Sequence, residues 1–235
     1  MEAVFRDDPY ARSCEATVTS AEGQGIRLDR TVFYPTGGGQ PGDSGVLRLD
    51  NGAELRIVTT VKGENEEDIV HILEEGVPSP PVGTCLTATV DWERRYRHMR
   101  MHTCLHLLCS IVPGGVTGGQ IGDGKGRLDF DLPDRTLDKD ALTDRLNALV
   151  KEDLPVDASW ISDAELEANP DLVRTMSVQP PSGSGKVRII RIEGVDVQPC
   201  GGTHVRRTGE IGPVVVSKIE KKGRHNRRVN VAFAE

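Results

Sequence analysis

The chain has 235 residues, of which 37% are hydrophobic and 28% charged, a composition typical of a globular protein with room for one large domain or two modest ones. No apolar run reaches the roughly 18 residues that a membrane span requires, so we expect no membrane partner. The formal net charge of −7 argues against a protein that coats nucleic acid through an extended basic face. Five irregularly spaced cysteines predict reduced thiols, and the acidic start lacks a secretion signal, so we expect a cytoplasmic protein.

The first 90 residues are typical of short strands separated by turn residues, and they predict a small antiparallel β-barrel. The predicted strands cover residues 15–19, 26–28, 31–34, 45–49, 54–61, 69–73 and 86–90. The glycine-rich stretch 34–45 contains a formal G-x-G-x-x-G pattern at Gly37, Gly39 and Gly42. We reject a dinucleotide cofactor, because Pro41 interrupts the pattern and a strand follows instead of a helix. Two alternatives remain: a tight turn, or a backbone surface that lets a ligand or another chain approach closely.

A second domain is predicted from Asp91, which can cap a helix over residues 92–112 that ends before Pro113. Its inward face is predicted to carry Met99, His102, Leu105, His106, Leu108 and Cys109. Further strands are predicted at 116–121, 127–132, 156–160, 187–192, 210–219 and 229–233, helices at 136–153 and 162–169, and a surface loop at 177–186. The sequence therefore predicts an α+β protein, with a β-barrel domain over 1–90 and a domain of mixed helices and antiparallel sheet over 91–235.

Two histidines of the predicted helix, His102 and His106, lie one turn apart and project from the same face. The only convincing further metal ligands are Cys200 and His204, which flank two glycines and are also four residues apart. Cys104 lies about 200° round the helix from His102, which predicts a packed thiol instead of a ligand.

The spacing of His102 and His106 matches that of zinc proteases, but Thr103 stands where those enzymes carry a glutamate base. A metalloprotease is therefore disfavoured. Three protein ligands would leave a position open for chemistry, whereas a fourth ligand from His204 would favour a structural zinc. Both arrangements fit the sequence.

Three stretches resemble one family. Residues 90–108, which contain H-x-x-x-H, are similar to the zinc-binding helix of the editing domain of alanyl-tRNA synthetase. Residues 191–212, with Cys200-Gly-Gly-Thr-His204, resemble its C-x-x-x-H segment, and residues 28–45 are similar to the glycine motif of the preceding barrel. Because the aminoacylation half is missing, the chain resembles the freestanding alanyl-tRNA editing proteins of medium length, the AlaX type.

The resemblance implies a zinc-dependent deacylase that acts in trans on the acceptor end of tRNA(Ala) carrying serine, or glycine. It implies that Zn²⁺ is held by His102, His106 and Cys200, with His204 at the fourth position, and that Thr117 recognises the serine hydroxyl. Phosphates of the acceptor stem are expected to meet the basic run 218–228 and the arginines before His102. Further substrate contacts are expected from Gly37, Gly38, Gly39, Gln40, Gly201, Gly202 and Arg227. No general base is identified, and two rival hypotheses remain: a metallohydrolase of another small ester or amide, and a structural-zinc RNA-binding module.

Overall fold

The computed structural model describes residues 1–65, 67–133, 136–176 and 185–234. The chain folds into two compact units, Met1–Arg97 and His98–Glu235. The α+β class is confirmed, because helices accompany a closed barrel and two antiparallel sheets. No helix within the described ranges is both long and apolar enough to cross a membrane.

The first unit is built around a closed six-stranded antiparallel barrel with the strand order β2-β3-β7-β6-β5-β8. Its elements are β1 (Glu2–Ala3), α1 (Val4–Asp7), β2 (Ser13–Glu22), β3 (Gly25–Leu28), β4 (Arg30–Thr31), β5 (Gly45–Leu49), β6 (Glu54–Lys62), β7 (Ile69–Leu73) and β8 (Cys85–Val90). The barrel closes where β2 pairs with β8, and its inward side chains form a core that includes Ile26, Leu47, Ile57 and Leu86.

The strand predicted at 31–34 is wrong for residues 32–34, because only Arg30–Thr31 forms a strand, which pairs in parallel with β1. Side chains satisfy the following backbone groups instead of a neighbouring strand. The Phe33 N–H donates to Thr31 Oγ1 at 3.0 Å, and the Tyr34 N–H donates to Asp43 Oδ2 at 2.6 Å. A segment whose polar groups are satisfied in this way needs no ladder.

Helix α2 (Trp92–Ile111) begins as predicted after Asp91, whose carboxylate accepts a hydrogen bond from the Arg94 N–H. More residues of this helix are buried than the predicted inward face includes. Met101, Cys104 and Leu107 are also fully buried, so the second half of the helix is covered on every side. A helix with apolar residues all round is expected inside a core.

The second unit contains a four-stranded antiparallel sheet, β14-β15-β10-β9, and a three-stranded antiparallel sheet, β11-β12-β13. Its further elements are β9 (Gly115–Ile121), β10 (Lys125–Asp131), α3 (Lys139–Lys151), β11 (Val156–Ser162), α4 (Asp163–Ala168), β12 (Lys186–Ile192), β13 (Asp196–Pro199), β14 (Val214–Lys221) and β15 (Asn226–Phe233), with short 3₁₀ helices at Pro170–Leu172 and Thr208–Ile211. Gly126 of β10 lies against Met101 and Leu105 of α2, so the four-stranded sheet packs on the helix that carries the histidine pair.

Most predicted elements of this unit are confirmed. A capping box between Ser162 and Glu165 begins α4. The strand predicted from residue 210 is wrong at its start. Glu210 lies in a 3₁₀ turn, and β14 begins only after Gly212, whose φ of +71° suits glycine. Most of the surface loop predicted at 177–186 falls on residues 177–184, outside the described residues.

Candidate metal centre

Helix α2 presents His102 and His106 on the same side, as their spacing predicts. Their ring centroids lie 5.4 Å apart, and both residues are 7% exposed. Cys104, between them, is a fully buried thiol whose pKa burial raises to about 12, which confirms that it packs in the core. It is therefore neutral and unsuited to bind a metal at ordinary pH.

The loop after β13 brings Cys200 to these histidines, and Arg188 of β12 holds that loop in place. The Arg188 guanidinium donates to the backbone oxygens of Cys200 at 2.8 Å and Gly202 at 2.9 Å. The Cys200 N–H donates in turn to the Arg188 carbonyl at 3.0 Å. A buried arginine with two carbonyl acceptors fixes the loop more firmly than its two glycines would allow alone.

Four side chains meet at this point: His102, His106, Cys200 and His204. One candidate ligand atom from each lies within 4.8 Å of all the others. Cys200 Sγ is 3.5 Å from His102 Nε2 and 3.3 Å from His204 Nε2. The structure thus brings together all four residues that the sequence singled out as metal ligands.

The electrostatics of the cluster favour a thiolate at Cys200. Burial by itself raises the pKa of the Cys200 thiol, but the charges of His102 and His204 and hydrogen bonds from the imidazoles hold it well below its usual value. Burial, together with the charge of His102, keeps the pKa of His204 well below its usual value. The thiolate of cysteine and the neutral imidazole of histidine are the forms that bind a metal ion, so Cys200 and His204 are both held in their metal-binding forms.

His106 is oriented by a buried carboxylate. Its Nδ1 lies 3.0 Å from Asp196 Oδ2, so Nδ1–H donates to Asp196 and Nε2 faces the cluster. Gln198 donates to the same oxygen at 2.7 Å, and Arg174 Nε lies 3.7 Å from Asp196 Oδ1. Burial alone lowers the pKa of His106, but the hydrogen bonds and charges of Asp196 and Cys200 raise it to about 9. Carboxylates commonly fix the tautomer of metal-binding histidines in this way.

His204 is oriented by Thr103, the residue that stands where zinc proteases carry their glutamate. The Thr103 hydroxyl donates to Met99 O at 3.0 Å, and its oxygen lies 3.1 Å from His204 Nδ1. Because the hydroxyl hydrogen is already engaged, Nδ1–H of His204 is the donor in this contact, and Nε2 faces Cys200. The Val205 N–H donates to the same oxygen at 3.3 Å. Thr103 is therefore fully hydrogen-bonded and positions the third histidine of the cluster.

Three imidazoles and one thiolate form a donor set that suits zinc. Tetrahedral zinc with bonds of about 2.0 and 2.3 Å places nitrogen and sulfur ligands about 3.5 Å apart. The distances from Cys200 Sγ to His102 and His204 agree with that separation. The residues present therefore fit a tetrahedral metal ion.

Thr117 lies in β9 and is half-buried. Its hydroxyl donates to Asp129 O at 3.2 Å, and Asn226 Nδ2 donates to Thr117 Oγ1 at 3.2 Å. Arg227, at the base of the β14–β15 turn, donates to the backbone oxygens of Gly223, Arg224 and Asn226.

The glycines expected to contact substrate differ in their surroundings. Gly37 and Gln40 exchange backbone hydrogen bonds across a tight turn, and the two glycines between them have positive φ. The side chain of Gln40 is buried. Gly201 is exposed with open space where a side chain would stand, while Gly202 is buried.

Sequence reasoning missed Asp196, Arg188 and the positioning role of Thr103. In the strand that carries Asp196, the usual alternation of apolar buried and polar exposed residues is reversed. Asp196 and Gln198 point inward, while Val197 is less buried. A search for buried apolar residues therefore passes over it. A usable signal was present, because an acidic residue four positions before a candidate cysteine ligand can reach the same site.

Comparison with protein-family models gives two matches. Residues 187–230 match the model described as the threonyl and alanyl tRNA synthetase second additional domain. Residues 5–94 match the model described as tRNA synthetases class II (A). The first match contains both Cys200 and His204.

Similar curated proteins share nearly the whole chain. An alanyl-tRNA editing protein AlaX-M of Methanosarcina mazei is 37% identical over 97% of this chain and 94% of its own length. An alanyl-tRNA editing protein AlaX-L of Pyrococcus horikoshii is 32% identical over 97% of this chain and 57% of its own length. An alanine–tRNA ligase of Pyrobaculum arsenaticum is 36% identical over 93% of this chain but only 25% of its own length.

Proposed function

The chain belongs to the family of alanyl-tRNA editing proteins of the AlaX-M type, and we propose that it hydrolyses the ester bond between serine and tRNA(Ala). Glycine-charged tRNA(Ala) is the second candidate substrate. In this proposal the barrel domain, residues 1–90, carries the glycine motif, and residues 91–235 form the zinc-binding editing domain. The acceptor end of the tRNA is the partner.

The observation that carries the proposal is the convergence of His102, His106, Cys200 and His204 on one point. Asp196 and Thr103 turn one nitrogen of their histidine partners toward that point, and Cys200 is held as a thiolate. Such preorganisation is expected where a metal ion binds in a defined geometry.

Zinc bound there would supply Lewis-acid chemistry, polarising an ester carbonyl or favouring the ionisation of water. The protein side chains hold the cluster and position the aminoacyl group. An aminoacyl ester is more reactive than an amide, so positioning beside the metal centre replaces part of the work of a dedicated acid and base.

Recognition of serine is assigned to Thr117, whose hydroxyl is fixed by Asp129 and Asn226. A site built to hydrogen-bond a hydroxyl discriminates against a substrate that lacks one, because buried polar groups then stay unpaired. The exposed Gly201 leaves open space beside Cys200 for an approaching acceptor end. The glycine turn at 37–40, Gly202 and Arg227 are further proposed contacts.

Deacylation of Ser-tRNA(Ala), Gly-tRNA(Ala) and Ala-tRNA(Ala) tests the proposal, with wild type and Cys200→Ala compared in zinc-replete buffer. We expect serine release by wild type and a loss of about 100-fold or more in Cys200→Ala, because a ligand is removed. Cys85→Ala is the matched control, since Cys85 is an exposed cysteine of the barrel. Absence of serine release by zinc-replete wild type would refute the proposal.

A structural-zinc RNA-binding module is the second candidate, and the four-residue cluster favours it, since four protein ligands complete a tetrahedral shell. That candidate predicts tRNA binding without turnover. Release of another esterified group, without serine release, would indicate the remaining rival, a metallohydrolase of a different ester.

A second variant tests the assignment of Thr117. Thr117→Val keeps the shape of the side chain but removes its hydroxyl. We expect serine hydrolysis to fall more than glycine hydrolysis, because glycine has no side-chain hydroxyl to recognise. An equal loss on both substrates would show that Thr117 does not sense the hydroxyl.

A further inference from the structure

Thr117 occupies an irregular position in its sheet. Gly118 of β9 pairs with Asp129 of β10, and Val116 pairs with Phe130, so Thr117 is an extra residue between two consecutive pairs. Such a β-bulge turns a side chain away from the direction that regular alternation would give it, and bulges are frequent beside active sites. The bulge thus directs the Thr117 hydroxyl to a specific place.

Asn226 reaches that hydroxyl from the other side of β10. It is the first residue of β15, where it pairs with Asp131, and its Nδ2 donates to Thr117 Oγ1 at 3.2 Å. Its Oδ1 is buried, and no hydrogen-bond donor within the described part of the chain reaches it. A buried carbonyl oxygen without a donor costs about 1–3 kcal/mol, so its presence calls for an explanation.

The orientation of the Asn226 amide decides what this oxygen can bind. Because the amide nitrogen is committed to Thr117, the oxygen points elsewhere and can only accept a hydrogen bond. A ligand group that satisfies it must therefore carry a donor hydrogen.

A backbone hydrogen bond and a longer ion-pair contact link this part of the sheet to the candidate metal centre. The N–H of Val116, next to Thr117, donates to Arg174 O at 2.9 Å. The Arg174 side chain approaches Asp196, which holds His106. Val116, the chain neighbour of Thr117, is thus linked through Arg174 and Asp196 to His106.

We propose that Asn226 is a specificity-determining residue, whose Oδ1 accepts a hydrogen bond from the serine hydroxyl while its amide nitrogen holds Thr117 in place. The proposal rests on the proposed editing function and adds a second residue to the recognition of the aminoacyl side chain. Serine supplies the hydrogen that Oδ1 requires. Alanine and glycine do not, so their esters leave Oδ1 unpaired.

The test compares kcat/KM for Ser-tRNA(Ala) and Gly-tRNA(Ala) in wild type, Asn226→Leu and Asn230→Leu. We expect Asn226→Leu to lower the serine-to-glycine ratio about 10- to 100-fold, since one buried hydrogen bond is lost only with serine. Asn230 is the matched control, because it lies on the same strand and bonds Lys218 and Glu220 instead. A ratio in Asn226→Leu equal to that of wild type would overturn the proposal while the editing function stands. Wild type that hydrolyses neither ester would refute the editing function itself, and this proposal with it.

A substrate change on the wild-type protein tests the same point without any risk of misfolding. Replacing the serine hydroxyl by fluorine, in 3-fluoroalanyl-tRNA(Ala), keeps the size of the group but removes its donor hydrogen. We expect this ester to be hydrolysed at about the rate of Ala-tRNA(Ala). Hydrolysis as fast as that of Ser-tRNA(Ala) would show that the hydroxyl is not read as a donor, and would overturn the role of Asn226 Oδ1.

Discussion

His71 makes the stability of the barrel unit sensitive to acid. The residue is fully buried in β7, where Nδ1–H donates to Ile26 O at 3.0 Å and Nε2 lies 2.8 Å from the Thr31 hydroxyl. The Phe33 N–H donates to Thr31 Oγ1, which leaves the Thr31 hydrogen for Nε2. Both ring nitrogens are thus satisfied when the imidazole is neutral, and burial lowers the pKa of His71 from 6.5 to about 4.

The magnitude follows from the difference between the two pKa values. One pKa unit corresponds to about 1.4 kcal/mol of free energy. The change in the His71 pKa from 6.5 in the unfolded chain to about 4 in the folded protein therefore corresponds to roughly 3 kcal/mol in the free energy of unfolding. Below pH 6.5 His71 binds a proton in the unfolded chain, but in the folded barrel it stays neutral down to about pH 4. The free energy of unfolding is therefore fully maintained above pH 6.5, and this contribution is lost as the pH falls from 6.5 to about 4.

Urea unfolding between pH 7 and pH 4.5 measures the effect. The chain has two tryptophans, and Trp160→Phe leaves Trp92 to report on the barrel unit, since Trp160 is an exposed side chain of β11. In that background we expect His71→Gln to be less stable than the parent at pH 7 but to lose less stability on acidification. His225→Gln, which changes an exposed histidine, should keep the parent's pH dependence. If His71→Gln lost stability as steeply as the parent, His71 would not be the acid-sensitive group.

Three further predictions concern the metal centre and the glycine motif. We expect Asp196→Asn to weaken zinc binding about 10- to 100-fold in a competition titration with a chelator, because His106 loses its carboxylate partner; unchanged affinity would contradict that role. Thr103→Val should weaken zinc binding through His204 and Thr103→Ser should restore it, so equal affinities in the two variants would show that the hydroxyl is not needed. Gly42→Ala should lower the free energy of unfolding by about 1–3 kcal/mol in urea, because its Cβ would lie 1.9 Å from a strand carbonyl oxygen, and wild-type stability would show that the loop can move aside.

The four residues of the cluster could be predicted because their pairing depends on local spacing. His102 and His106 are separated by about one helical turn, and Cys200 and His204 flank a short glycine loop. Each pair can therefore be recognised from five consecutive residues of the sequence. The partners that orient them are not local: Asp196 lies 90 residues from His106 along the chain. Contacts of that kind depend on how sheets and helices pack, which hydrophobic periodicity does not encode.

The errors in the fold have a similar cause. Residues 32–34 have the composition of a strand, yet side chains such as Thr31 and Asp43 satisfy their backbone groups. The sequence did not predict strand β13. This strand carries Asp196 and Gln198 on its buried side, so polar residues occupy the positions where the strand pattern requires apolar ones. In both segments, side-chain hydrogen bonds that form only in the folded protein override the local preference.

Thr103 shows why this helix does not carry a protease-type base. Its position is fully buried, with its hydroxyl committed to Met99 O, the Val205 N–H and His204 Nδ1. A glutamate there would have to be buried as a charge, and it would compete with the imidazole for the same space. The helix can therefore carry two ligands and position a third histidine, but it cannot also present a carboxylate to a substrate. Under the proposed function, an enzyme built on this cluster must obtain its rate from the metal and from how the ester is held. The residues proposed to read the aminoacyl side chain, Thr117 and Asn226, would then matter as much as the proposed ligands.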